Sequence, residues 1–481
     1  MKRKFFTNLL LLLALNLLIK PFWIFGIDRT VQNMLGAGDY GLYFSLFNFS
    51  LVLNIFLDLG LTNFNNRAIA RYRQLLPKYL SYLVSLKFLL ALFYGVVCAV
   101  VAIVIGYDQR QIHLLLFLAG NQFLLSFTLY LRSNISALHY FRTDSLLSVL
   151  DRSLMIILCS TLLFTNWFGG YFSVEWFVYA QTLAYLTTAF VAFMLVLNYS
   201  GGFRLKFNYP VDLFFLKKSF PFALLILFMS VYSRIDSVLI ERLLPINGKE
   251  QAGIYAQAFR LLDAAAIFGL LFAGLLLPIF ARMLKQKKDV SQMVRFSFEL
   301  IMVPSLLIAI AANFYAGEIM NLLYHEHTFE SAGLLSILIV CLPGISTTYI
   351  IGTLLTANGN LKSLNRMAFF FVLVNVGLNV LFIPRFQAEG AAWIALCTQL
   401  GIAGVQLVLA WFYFEFRVNY LLILRLLSFC LFSLVAGKIS LYIENWIFGF
   451  SFLILCSMIF AASIRLVNLQ ALIEIINDKN R

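Results

Sequence analysis

Gly36-Ala-Gly-Asp-Tyr-Gly-Leu-Tyr43 and Gly248-Lys-Glu-Gln-Ala-Gly-Ile-Tyr255 share the pattern Gly-x4-Gly-x-Tyr. The copies stand 212 residues apart (248 − 36 = 255 − 43 = 212), and each opens a long apolar run. Their surroundings echo one another: Asp28-Arg29 has a near-counterpart in Glu241-Arg242, and Ala70-Arg71 in Ala281-Arg282, each one residue out of register. Repetition at one offset and at matching places in the hydropathy pattern is the mark of a duplicated unit.

The chain around these motifs is 62% apolar and 12% charged, with a mean hydropathy of +0.89. Soluble domains carry about 25% charged residues, and no water-soluble core could hide so much apolar surface. Apolar runs near 5–27, 40–61, 79–106, 113–138, 145–167 and 174–197 predict a first set of six spans. A second set follows near 220–244, 252–284, 296–323, 332–357, 367–383 and 390–413, with two further spans near 421–441 and 446–466. The expected fold is therefore an all-α polytopic membrane protein of about fourteen transmembrane helices. An even number of spans per repeat makes the two six-helix bundles parallel, related by a pseudo-twofold along the membrane normal. The expected domains are 1–198, a cytoplasmic linker 199–218 containing Gly201-Gly202 and Pro210, 219–414, the extra pair 415–466, and a tail 467–481.

The net charge of +14 lies in short loops rather than on one hydrophilic face, so it speaks for orientation and not for nucleic acid. With the N-terminus inside, about 24 basic residues fall on the inner side and about 5 on the outer, which predicts two cytoplasmic termini. Met1-Lys2-Arg3-Lys4 and the following run resemble a signal peptide, but no small-x-small cleavage site follows, so the run is read as an uncleaved first span. The six cysteines lie in apolar runs without paired spacing and read as small buried hydrophobes, neither disulfides nor metal ligands. His325-Glu326-His327 is too isolated to hold a metal, and no ATP-binding, nucleophile-elbow or HExxH motif is present, so neither metal, cofactor nor catalytic residue is assigned.

Charges inside spans are the informative residues, because each costs roughly 2.5–3.5 kcal/mol at a helix centre unless it snorkels, pairs or faces water. Lys20, Lys87, Arg132, Arg234 and Arg260 lie one to several turns inside and are read as a cationic, substrate-binding cavity lining. Asp236 and Asp263 are ion-coupling or pairing candidates. Arg260 and Asp263 share a helix face, whereas Arg234 and Asp236 diverge by about 200° and need different partners. Arg152, Arg242, Asp58 and Asp151 fall near predicted span ends, where snorkelling or a local pair suffices. A net-cationic cavity suits a diphosphate, which guanidinium groups grip bidentately.

Gly36–Tyr43, Leu57-Asp-Leu-Gly-Leu61, Arg67-Ala-Ile-Ala-Arg71, Arg234-Ile-Asp-Ser-Val-Leu-Ile240 and Ala252-Gly-Ile-Tyr-Ala-Gln-Ala-Phe-Arg260, in that order, resemble the polysaccharide-transporter branch of the multidrug/oligosaccharidyl-lipid/polysaccharide exporter superfamily. Asn379 to Pro384 and Glu389-Gly-Ala-Ala392 resemble its later spans. The resemblance implies a flippase for undecaprenyl-diphosphate-linked oligosaccharide, acting by alternating access in the bacterial inner membrane during O-antigen, capsule or exopolysaccharide assembly. The implied partners are the lipid-linked oligosaccharide, membrane lipids, and the polysaccharide polymerase and glycosyltransferases that work alongside. Members of the superfamily often place a cation on the eighth span, which Arg260 matches. Its lipid II flippases carry several arginines in the first two spans; this chain has Lys20 and no buried Arg there. A drug/cation antiporter of the same superfamily would favour an acidic cavity. A membrane glycosyltransferase or polymerase would need a long outer loop, which the short connections do not offer.

Overall fold

The computed structural model describes residues 15–466 except 17, 63, 64, 67, 68, 70, 71, 139, 166–171, 201, 206–208, 417 and 418, and gives no side-chain placement for 209–219. Arg67, Arg71, His139, Arg417, the side chains of Lys206, Lys217 and Lys218, and the tail 467–481 thus lie outside the described residues.

Among the described residues, twelve helices are long and apolar enough to cross a membrane, making this a multi-pass membrane protein. They are α1 (Leu18–Leu57), α2 (Leu76–Ile105), α3 (Gln109–Ala137), α4 (Phe141–Phe164), α5 (Val174–Ser200), α6 (Tyr209–Leu243), α7 (Gly248–Lys285), α8 (Ser291–Phe314), α9 (Thr328–Ala357), α10 (Leu361–Phe414), α11 (Tyr420–Ser440) and α12 (Trp446–Ser463). Two of them are pairs of helices joined at one non-helical residue. In α1 the break is Gly36, at φ 71 and ψ 172, which suits a residue without Cβ. In α10 it is Gln387, at φ 51 and ψ −137, just after Pro384.

By contacts the chain separates into two compact units, Met1–Ala256 and Gln257–Arg481. In the first, α3 packs along α5 and α1 along α6. Its core gathers Leu80, Leu83, Val84, Tyr130, Leu131 and Ile135, all fully buried. The α2–α3 corner is set locally: Gly106 ends α2 in the left-handed region, and Asp108 and Gln111 form a reciprocal capping box at the start of α3. In the second unit α8 packs against α9, α11 and α12, with Val303, Phe429 and Ala461 buried between them. Gly437 and Gly449 leave room for Phe314 and Tyr315, whose hydroxyl bonds Ser440 Oγ at 2.7 Å.

Two expectations need correction. The predicted span 296–323 is divided at Tyr315, where α8 ends and a short helix, Ala316–Leu323, begins. No Gly or Pro marks the division at Tyr315 itself; the Tyr315 ring is instead held by α11 and α12. Nor are all cysteines buried: Cys98, Cys159 and Cys341 are, whereas Cys397 is exposed on the same apolar face as Trp393 and Leu400. Bilayer lipid is as apolar as a core, so composition alone cannot tell the two surroundings apart.

Candidate functional site

The connection between α3 and α4 is only a few residues long, so α4 turns back beside α3. Arg132, near the end of α3, thereby meets Asp144 in the first turn of α4, Nε to Oδ1 at 2.8 Å. Asp151 lies seven residues further along α4, two helical turns on and the same face. Asn16, just ahead of α1, donates to Ser148 Oγ between them at 3.0 Å. That contact brings the start of α1 alongside, and Lys20 comes within electrostatic reach of Arg152, Asp151 and Arg132. Arg152 donates to the Tyr185 hydroxyl at 3.0 Å, and its guanidinium lies 5.6 Å from the Trp23 ring centre and 5.8 Å from that of Tyr185.

Among the described residues this cluster holds three cations, Lys20, Arg132 and Arg152, against two acids, Asp144 and Asp151. Arg132 is closely paired, but the nearest carboxylate oxygen to Arg152 is that of Asp151, at 3.9 Å. Neither guanidinium is sealed: the side chains are 20% and 26% exposed. Like charges gathered in a low-dielectric setting repel, and an anion entering between them removes that cost. The arrangement offers planar donors that suit phosphate oxygens, with aromatic rings alongside.

Lys87 is placed differently. Its side chain is 0% exposed, and the ammonium contacts Asp58 Oδ1 at 2.5 Å, Ser126 Oγ at 2.9 Å and the Leu57 carbonyl at 3.2 Å. With the Ser126 carbonyl at 3.5 Å, four oxygens surround the three ammonium donors, so no donor is left for a ligand. Asp58 also accepts from the Thr62 amide and hydroxyl. Asp236 is buried on α6 and accepts from the Tyr255 hydroxyl at 3.1 Å, while Arg234 is half-buried on the same helix. Arg260 and Asp263, both half-buried on α7, belong to the second unit.

The duplicated motif acts at the other end of α3. Gln111 and Arg132 stand 21 residues apart on this helix (132 − 111), about 32 Å at 1.5 Å per residue. At the Gln111 end the two copies meet. A Cβ on Gly41 would strike the Lys249 carbonyl and Gly253 backbone, and one on Gly253 would strike the Ala37 carbonyl. The second glycine of each copy is thus the point where two backbones touch. Around it Gln111 donates to Glu241 at 2.8 Å, and Arg242 donates to the Ile105 carbonyl at 2.5 Å while lying 4.6 Å from the Tyr107 ring centre. Asn48 donates to Ser237 at 2.9 Å, and Arg110 binds Asp39 at 3.0 Å and Glu175 at 2.8 Å. The motif tyrosines serve neighbours too: Tyr43 accepts from Gln181 at 2.8 Å, and Tyr255 bonds Asp236.

Sequence reasoning kept Arg152 among the residues satisfied locally, because it placed the start of α4 at 145. The helix begins at Phe141, so Arg152 lies about three turns in. The repeat marks Asp28 only as the near-counterpart of Glu241; in the structure it is buried and accepts from Tyr40 at 3.0 Å on both oxygens.

Two apolar helical units carrying a cation cluster share their fold with transporters of the MOP superfamily. A solved structure of the lipid II flippase MurJ in an inward closed conformation is 15% identical, matches 94% of this chain and 98% of its own, and superposes with a TM-score of 0.71. An inward-facing multidrug resistance MATE family transporter is 16% identical over 85% of this chain and 98% of that one, with a TM-score of 0.63. A MOP superfamily transporter from Pyrococcus furiosus, described as having a binding pocket of reversed polarity, is 16% identical over 85% and 94%, at 0.60. Residues 10–284 match the family described as Polysaccharide biosynthesis protein, and the chain belongs to that family. No curated protein matches it.

Proposed function

We propose that this protein is a flippase that carries oligosaccharide linked to a polyprenyl diphosphate across the bacterial inner membrane, for the assembly of O-antigen, capsule or a related polysaccharide. The observation that carries the reading is the partly exposed excess of cations formed by Lys20, Arg132 and Arg152. A doubly charged head group is the ligand such a cluster accommodates, while the prenyl tail stays in lipid. No bond is made or broken. The glycine contact and its surrounding bonds are the outer closure, so the head group is taken from the cytoplasmic side, where glycosyltransferases finish it, and passed to a polymerase outside. Arg234 on α6 and, in the second unit, Arg260 on α7 are further substrate-binding cations, Asp236 and Asp263 are the coupling or pairing acids, and Lys87 braces α2. The two halves of α1 and of α10 count as separate crossings, because 54 residues of helix would reach about 81 Å against a hydrocarbon core of about 30 Å. On this reading the chain has fourteen spans in bundles 1–198 and 219–414, and an even count together with the positive-inside pattern leaves both termini cytoplasmic.

The test is transport of a lipid-linked oligosaccharide into proteoliposomes. Lys20→Gln and Arg152→Gln should each lower the rate roughly tenfold at unchanged folded yield, the loss of about 1.4 kcal/mol of head-group binding. Parent-like transport by the Lys20→Gln/Arg152→Gln double variant would overturn the assignment, and gradient-driven efflux of organic cations would replace it with an antiporter.

A further inference from the structure

A second basic site lies apart from the cluster, where the start of α2 meets the end of α5. A cavity of about 670 Å³ opens there, lined by Lys78, Ser81, Tyr82, Ser200, Phe203 and Arg204 among others. Its size falls in the roughly 300–1,000 Å³ range of small-molecule sites. Its walls are tied together: the Arg204 amide donates to Ser81 Oγ at 3.2 Å, Ser81 donates to the Pro77 carbonyl at 2.9 Å, and Phe203 packs edge-on against Phe193 at 5.5 Å. Lys78 and Arg204 are both exposed at its rim, and none of the described lining residues is acidic. The first turn of α2 adds its positive end.

The rest of α2 says what kind of molecule brings the anion. From Tyr82 onward, Leu89, Phe93, Val96, Val100 and Val104 recur at three-, four- and seven-residue spacing, and all five are exposed. They form one apolar stripe running up the helix from the cavity. A basic, hydroxyl-lined pocket at the foot of a lipid-facing stripe is complementary to a phosphate head group with acyl chains lying along the helix. The positive-inside pattern puts this end at the cytoplasmic leaflet. We propose that this cavity binds the head group of an anionic phospholipid of that leaflet, held by Lys78 and Arg204. The leaflet assignment rests on the orientation adopted for the flippase, but the binding does not depend on transport.

The experiment is native mass spectrometry of the full-length protein in detergent, titrated with phosphatidylglycerol or phosphatidylcholine. Phosphatidylglycerol should be retained at one per protein, roughly tenfold more tightly than phosphatidylcholine, and Lys78→Gln/Arg204→Gln should erase the preference. Both side chains are exposed, so the variant is expected to keep the parent's thermal stability. Lys285→Gln/Lys287→Gln, on another basic loop, should leave the preference intact. Equal retention by Lys78→Gln/Arg204→Gln and the parent, or equal loss in both double variants, would overturn the site. Millimolar inorganic phosphate should leave the lipid in place; displacement by it would overturn the lipid source and make the ligand a soluble phosphate. Proteoliposome transport by the same variant separates the outcomes, since loss of lipid preference with normal flipping leaves the function above untouched.

Discussion

Lys87 and Arg152 are both cations several residues inside apolar helices of the same unit, yet their surroundings differ, and the proposed function gives them opposite tasks. Lys87 is sealed, with one carboxylate and three further oxygens for its three donors. Arg152 is partly open, has its acid at 3.9 Å, and shares its neighbourhood with Lys20 and Arg132. Depth in the membrane therefore does not distinguish a brace from a binding group. The ratio of acceptors to donors around the charge does, together with whether one side stays open.

The sharpest way to break this comparison is to remove Lys87. Leaving Asp58 without its partner should cost about 3 kcal/mol, the lower end for a broken buried pair because Asp58 is itself 25% exposed. Lys87→Ala should fall markedly in folded yield and melting temperature, while Lys87→Met/Asp58→Leu should regain a good part of both and flip near the parent rate. If that double variant folds well but does not transport, Lys87 belongs with the binding cations after all.

A smaller but more selective effect is expected at the glycine contact. Gly41→Ala puts a methyl group against backbone that cannot swing aside, so the second half of α1 and the start of α7 must part, whereas Gly38→Ala meets nothing within 4 Å. Cysteine labelling at Asn48 should become accessible from outside in the first variant and stay protected in the second. Identical labelling would mean the contact is not a seal.

The smallest effect tests the opposite extreme, a charge with no burial. Asp289 accepts from the Ser291 amide at 2.9 Å and hydroxyl at 2.6 Å, and these bonds hold its carboxyl below the usual carboxylate range. Its folded-state pKa being depressed, any stability it contributes is present above the unfolded value and lost as pH falls through the folded one. Asp289→Asn should leave the melting temperature at neutral pH unchanged. A clear drop would show that exposed charges also brace this protein.

The helical character and the duplication were legible in the sequence because a bilayer demands a continuous apolar run for each crossing and because both copies of the motif keep their glycines. What those glycines do was not legible: that Gly41 touches Gly253 depends on how α1 and α7 approach, which no local pattern encodes. The charged residues were found, but their sorting was partial. Lys87 and Arg152 each depend on what other helices bring, Ser126 from α3 in one case and Trp23 and Tyr185 from α1 and α5 in the other. A four-residue shift in where α4 starts was enough to move Arg152 from the rim to the interior of the reading.

For the proposed flippase, contact between two backbones at Gly41 and Gly253 also has an electrical consequence. Closure without bulky side chains makes a thin insulating layer, and the membrane voltage falls chiefly across the thinnest insulator between two conducting spaces. An anionic head group waiting on the cytoplasmic side of that layer sits close to the cytoplasmic potential, so voltage should scarcely alter how tightly it is held. Opening the layer moves the charge through the field instead. With the interior negative, outward passage of two negative charges releases roughly 4.6 kcal/mol at 100 mV, from about 2.3 kcal/mol per charge. In that reading the seal turns the resting voltage into a bias on the cargo itself, alongside any coupling through Asp236 or Asp263.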